Sequence, residues 1–319
     1  MNIAFHSNQL CIRGTEVALY DYALFNETLL GNTSYIFAKR INTHHNDELV
    51  ISKFKKRFGN RVYLYDDFGE VELMIQVHNI THFYAIKAGF NDGIISRYAI
   101  NLMHIVFDVN EPHGDKYIYI SQWLSNKMSN GLIEYIPHII ELPKHNDDLR
   151  EQLNIPKNSI VFGRHGGNDS FNIPYVYDVI KQCVNENSNI YFLFMNTDKF
   201  YEHERIIYLD RTENLNKKTE FINTCDAMIH ASNVGESFGI SICEFLFHDK
   251  PVITSSTPTT NMNHLLILKD RGIYYTSKNT LYNIFVNFKR DYNINYSELV
   301  KEFNPIDVMN KFNDIFLKE

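Results

Sequence analysis

Ala227-Met228-Ile229-His230, then Gly235-Glu236-Ser237-Phe238-Gly239-Ile240-Ser241-Ile242-Cys243-Glu244-Phe245-Leu246, then Pro251-Val252-Ile253-Thr254 form one strand–helix–strand unit. The strand ends at His230, Glu236-Ser237-Phe238-Gly239 opens a helix over Phe238–Phe247, and Pro251–Thr254 is the next strand. A helix N-terminus carries unpaired N–H groups and a partial positive charge, which suits hydroxyls and a diphosphate. Gly239 lets the backbone approach a ligand closely. Glu236 and Glu244 are separated by seven residues, a little over two helical turns, so Glu244 can share a face with the opening loop. One carboxylate can accept hydrogen bonds from sugar hydroxyls and the other from a ribose diol.

The same alternation extends in both directions, the pattern of parallel sheets wrapped by helices. In the first half, strands are expected at Asn2–His6, Ser34–Ala38, Val62–Tyr65, Leu73–Val77, Ile100–Val106 and Tyr117–Ile120. Helices are expected at Thr15–Leu29, Asp47–Phe58 and Ser121–Ser129, the last with Ser121 as N-cap. Pro137 and Pro156 bracket a charged stretch that reads as an interdomain linker. The second half restarts with strand Ser159–Gly163, helix Tyr175–Asn185, strands Ile190–Met195 and Arg205–Leu209, and helix Asn216–Thr224. The expected organisation is an N-terminal Rossmann-like domain over 1–137, a linker over 138–157, a second such domain over 158–295, and a helical tail over 296–319. Two doubly wound α/β domains create a cleft between the carboxyl ends of their strands, where such folds bind ligands.

Composition narrows the partners. A net charge of -7 and a pI near 6.1 exclude the basic footprint of a nucleic-acid protein. One basic run, Lys53, Lys55, Lys56, Arg57 and Arg61, admits a peripheral membrane or acceptor contact, but a solvated helix face is favoured because its apolar face is short. The four cysteines have no metal-ligand spacing and read as small buried hydrophobes of a reducing compartment. No signal peptide opens the chain and no apolar run approaches the ~20 residues of a membrane span, so a cytoplasmic location is expected.

The Glu-x7-Glu element followed by Pro251-Val252-Ile253-Thr254 resembles the retaining glycosyltransferases of family 4, which have the GT-B fold. Other landmarks agree in order. Gly14-Thr15-Glu16 follows the first strand, where that family has a glycine-rich loop near the donor phosphates. Gly163-Arg164 ends the first strand of the second domain, where the family places a phosphate-binding arginine. Thr224-Cys225-Asp226-Ala227 and Ser232 look like the segment leading into the Glu motif. The resemblance implies transfer of a sugar from a UDP- or GDP-linked donor to a glycan or other hydroxyl acceptor. It further implies retained anomeric configuration and neither metal nor cofactor. Gly14, Thr15, Arg164, Ser237, Phe238, Gly239 and Glu244 would bind the donor, with Glu236 catalytic. Developing charge on the diphosphate would be met by Arg164, the helix N-terminus and Gly14. The chain departs from the family after Arg164, where His165-Gly166-Gly167-Asn168-Asp169-Ser170-Phe171 contains no lysine, so backbone N–H groups would substitute.

Of the 14 histidines, His104 best matches the family's histidine near the transferred sugar, and His113 competes from the Glu111–Asp115 loop. His78 and His82 have helical i, i+4 spacing, but Asn79 stands where a zinc protease needs glutamate, so a structural role is expected. Asp67-Phe68-Gly69 is a coincidental match to a kinase fragment. Two rivals stay open: an epimerase of similar build, which needs no acceptor, and a non-catalytic nucleotide-sugar-binding protein.

Overall fold

A computed structural model describes residues 1–41, 46–291 and 293–318. The chain divides into two compact units, Met1–Ile139 with Glu302–Glu319, and Ile140–Lys301. The second unit therefore takes in most of the expected linker, and the end of the chain belongs to the first unit.

In the first unit, strands β1 (Asn2–Ser7), β2 (Thr33–Lys39), β3 (Val62–Tyr65), β4 (His82–Lys87), β5 (Ile100–Ile105) and β6 (Lys116–Tyr119) form a sheet in the order β3-β2-β1-β4-β5-β6. All its pairings are parallel. This is the doubly wound order, with its switch point between β1 and β4. Helices α1 (Gly14–Thr28), α2 (Glu48–Phe58), α3 (Phe68–Val77) and α4 (Gln122–Ser129) connect the strands. Asp47 caps α2, accepting from the N–H groups of Leu49 and Val50, and Ser121 caps α4 by accepting from Leu124. Along α2, Val50, Ile51, Phe54 and Phe58 are buried and the basic residues lie outside, so its apolar face is committed to the core.

In the first unit α3 and β4 differ from expectation, and in the second the strands Gly235–Glu236, Asn261–Met262 and Ile273–Tyr275 and the helix Asn263–Leu268 are elements the sequence reading did not include. Leu73–Val77 lies within helix α3, and the strand that follows is β4. The short apolar stretch Leu73-Met74-Ile75 suits either state. The decision falls to the capping box, in which Asp67 and Glu70 each satisfy the other's backbone N–H. The helix stops at Val77, so His78 and His82 do not share a helical face; His78 packs on Tyr35 with ring centroids 4.8 Å apart.

The second unit repeats the plan. Strands β7 (Ile160–His165), β8 (Ile190–Met195), β9 (Ile206–Leu209), β10 (Ala227–Ile229), β12 (Val252–Ser255) and β14 (Ile273–Tyr275) form a sheet in the order β14-β12-β10-β7-β8-β9. A separate parallel pair joins β11 (Gly235–Glu236) to β13 (Asn261–Met262). Helices α5 (Pro174–Glu186), α6 (Leu215–Thr224), α7 (Ile240–Phe247), α8 (Asn263–Leu268) and α9 (Lys278–Asn287) complete it. Its core is aromatic, with Phe162 packed on Phe192 and Phe285 at centroid distances of 5.5 and 4.6 Å. The switch point lies between β7 and β10, so the carboxyl ends of these strands are where a ligand is expected.

Helix α10 (Pro305–Phe312) brings the chain back to the first unit. Phe312 meets Phe5, Tyr22 and Tyr84 at centroid distances of 6.4, 5.4 and 5.5 Å, and Phe316 adds a further ring beside Tyr84. Burying each such side chain contributes roughly 1.5–3 kcal/mol, which anchors an otherwise short helix. No helix among the described residues is long and apolar enough to cross a membrane.

Candidate functional site

Alternation along β7 sends its last two side chains to opposite faces. Arg164 turns toward the end of β8 and the Gly166–Ser170 loop. Its Nη1 donates to Asn196 O at 3.1 Å and Thr197 Oγ1 at 2.6 Å; its Nη2 donates to Ser170 Oγ at 2.6 Å and to Gly167 O. Burial pulls this guanidinium down to about 10, still charged at neutral pH, and Glu236 is the acid that opposes the shift most strongly. Arg164 and Glu236 thus act in one electrostatic neighbourhood. Arg164 also fastens its own loop, through Gly167 and Ser170, to the residues that follow β8, through Asn196 and Thr197.

Glu236 leaves β11 toward the end of β10. Its Oε1 lies 3.0 Å from His230 Nε2, and His230 Nδ1 lies 2.8 Å from Thr254 Oγ1. About a quarter of the Glu236 side chain remains exposed. Three residues on, Gly239 adopts φ 95° and ψ 56° at the N-cap of α7 and offers no side-chain cap. A left-handed cap residue favours glycine, and the first N–H groups of α7 are left without a capping side chain. Phe238 is buried beneath them, its carbonyl accepting from Asn263 Nδ2 at 2.9 Å, so Ser237-Phe238-Gly239 is anchored by its middle residue.

Glu244, one face further along α7, has a different setting. It is buried, with Oε1 2.8 Å from Lys218 Nζ on α6 and Oε2 3.2 Å from His165 Nε2. Burial pushes the carboxyl up, but Lys218 and then His165 outweigh it and hold Glu244 below its usual range. His165 itself is pulled down to about 4 by burial and is neutral at pH 7, stacked on Phe245 at 5.5 Å. Lys218 is therefore the charge that balances Glu244. Sequence reading did not single it out; only its place four residues past the N-cap Asn214, on a helix whose apolar residues face inward, hinted at it.

The remaining expected residues belong to the first unit. Gly14 and Thr15 open α1, whose N-cap, Arg13, makes no side-chain capping bond. His104 is a correction. It is fully buried, with Nδ1 2.8 Å from Tyr84 Oη and Nε2 donating to Ile136 O at 2.9 Å. Tyr22 and Phe316 pack on its ring at 5.4 and 5.7 Å, and burial lowers it to about 4. With both nitrogens occupied and no exposed surface, His104 is a core residue rather than a group that meets a sugar. The competitor His113 is also buried; Nδ1 donates to Glu111 O at 2.6 Å, and Nε2 has no hydrogen-bond partner among the described residues.

Glu16, beside Thr15, carries a pH prediction. It accepts from Ser7 Oγ at 2.9 Å, Gln9 Nε2 at 3.3 Å and Cys11 Sγ at 3.4 Å. Burial pushes its carboxyl up from 4.5 to about 7, against the opposing pull of the Ser7 and Cys11 hydrogen bonds. The folded state then holds this proton more tightly than the unfolded chain does. Its contribution to stability is complete below pH 4.5 and is lost as pH rises through about 7, on the order of 3 kcal/mol in all. Urea titrations across this range should show the fall in the wild type and its absence in Glu16→Gln. Equal slopes in both would assign the dependence to another group.

Neither a family model nor a curated protein matches this chain. Solved structures do. Alr3699/HepE from Anabaena, in complex with UDP and glucose, aligns over 100% of both chains with a TM-score of 0.72 at 14% identity. A glycosyltransferase from Rickettsia africae ESF-5 aligns over 100% of this chain and 99% of its own, with a TM-score of 0.72 at 13% identity. WaaG, a glycosyltransferase involved in lipopolysaccharide biosynthesis, aligns over 98% and 99%, with a TM-score of 0.61 at 11% identity. Full-length likeness of this kind establishes the fold as that of the GT-B glycosyltransferase structures.

Proposed function

We propose that this protein is a glycosyltransferase that moves a sugar from a nucleotide-sugar donor to an acceptor hydroxyl. The observation that carries the reading is the convergence at the β7–β10 switch point. There, the partly exposed Glu236 carboxylate stands beside the uncapped start of α7 and within the field of Arg164. The helix start and Arg164 favour a diphosphate, while Glu236 accepts hydrogen bonds from hydroxyls of the sugar. Glu244 is assigned to the ribose side by the family resemblance, with its buried carboxylate held by Lys218 and His165. The fold shared with Alr3699/HepE, which was crystallised with UDP and UDP-glucose, makes uridine the first nucleotide to try.

The test is thermal and chemical stabilisation across UDP, GDP, ADP and their sugar conjugates. A ligand at 100 times its dissociation constant should add about 2.7 kcal/mol. No response to any nucleoside diphosphate would remove the donor site. Product analysis with a responding donor then decides the finer points, which we infer by family resemblance to be retained anomeric configuration and activity that survives EDTA.

A second reading, a nucleotide-sugar-binding protein without turnover, draws on one observation. Arg164 spends four hydrogen bonds on its own surroundings, in a loop that lacks a second cation. Donor binding without product or an altered donor would select it.

A further inference from the structure

We infer that His230 is a positioning residue, fixing the Glu236 carboxylate so that one oxygen is held and the other is presented to the sugar. The inference rests on the donor-site reading above and assigns a role to a side chain outside the Glu-x7-Glu element.

The ring has little freedom. The His230 N–H donates to Ile253 O at 2.8 Å, and its carbonyl accepts from Tyr275 Oη at 2.9 Å, so the residue is tied to β12 and β14 through its backbone. Its side chain then spans Thr254 Oγ1 and Glu236 Oε1, at 2.8 and 3.0 Å. A carboxylate can only accept, so Nε2 carries a proton and donates to Glu236. In the neutral ring Nδ1 is then an acceptor, and the fully buried Thr254 hydroxyl donates to it. The chain of donors runs one way, from Thr254 through His230 to Glu236 Oε1. His264 closes the far side, its ring centroid 5.0 Å away. Glu236 Oε2 takes no part in this chain. A carboxylate anchored at one oxygen loses less rotamer freedom on binding, which is what preorganisation contributes.

His230→Asn and His230→Gln separate positioning from mere packing. Asparagine places its amide near the position of Nδ1 and keeps the Thr254 contact while losing Glu236. Glutamine carries an amide nitrogen out to the position of Nε2 and restores the donor to Glu236. Binding is measured calorimetrically with UDP and UDP-glucose, GDP and GDP-mannose, and ADP and ADP-glucose. With the pair that binds the wild type, His230→Asn should weaken the sugar nucleotide by about 10- to 100-fold, the size of a lost hydrogen bond to a charged group, and leave the plain diphosphate within about twofold. His230→Gln should recover most of the loss. If His230→Asn does not fold, Thr254→Val, which frees the ring from behind, should give a smaller loss of the same selectivity. Equal losses on both ligands, or no loss at all, would overturn the role of His230 and leave the donor site standing. A wild type that binds none of the three diphosphates would remove the donor site and this inference together.

Discussion

Lys218→Met should destabilise the fold by about 3–5 kcal/mol at pH 7, the cost of leaving a buried carboxylate without its counter-charge. Glu244 is 5% exposed, and His165, pulled down to about 4 by burial, supplies no positive charge at that pH. Methionine keeps the volume of the lysine stem, so the loss reports charge rather than a cavity. The sign of the pH dependence follows from the direction of the Glu244 shift. Lys218, with His165, holds that carboxyl below its usual range despite burial, so the pair contributes stability above the unfolded value near 4.5 and loses it as the carboxylate protonates. The deficit of Lys218→Met should accordingly shrink in acid. Lys218→Met with Glu244→Gln should recover most of the loss, giving a large coupling energy in a double-mutant cycle. Additive effects of the two substitutions would show that Lys218 and Glu244 are not partners in solution.

Gly235→Ala should cost roughly 3–5 kcal/mol and abolish donor binding, by combining two penalties at one position. Gly235 has φ +71°, which L side chains rarely adopt, and an added Cβ would run into the carbonyl oxygen of Asn261 and the hydroxyl of Thr259. The Asn261 carbonyl is backbone of the β13 residue paired with Gly235 itself, and the Thr259 hydroxyl is held by its hydrogen bond to that carbonyl. Relief requires β11 to move, and Glu236 moves with it. Gly31→Ala is the matched control: its φ is +68°, but nothing lies within 4 Å of the added Cβ, so only the conformational penalty of about 1–2 kcal/mol applies. Urea unfolding compares the two. Similar losses would mean that the strand pair yields easily and does not fix Glu236.

Much of the fold was legible because it is written in local terms. The caps Asp47 and Ser121 lie where sequence reading placed the helix starts, and the alternation of strands and helices gave every strand of the two large sheets but β4 and β14. The misread element, α3, was misread for a local reason. A short stretch such as Leu73–Val77 suits a strand or a buried helix alike, and the deciding signal was the capping box before it, at Asp67 and Glu70. At the site, Glu236 and Gly239 stand in a motif visible in the sequence, and the roles expected of them come from the family resemblance. The partners of the two acids did not, because His230, Thr254 and Lys218 are supplied by β10, β12 and α6 and no periodicity links them to the motif.

By itself, then, the sequence determined the order and type of the elements and the identity of the acidic motif, since propensity, capping and hydrophobic period act over a few residues. The tertiary structure alone decided which charges meet and which polar groups are buried. It set Lys218 against Glu244 across 26 positions of chain, and it closed His104 beneath α1 and the returning C-terminal segment. Burial and ion pairing depend on what packs from elsewhere in the chain. A short amphipathic helix such as α10 declares that it has an apolar face but not which core will cover it.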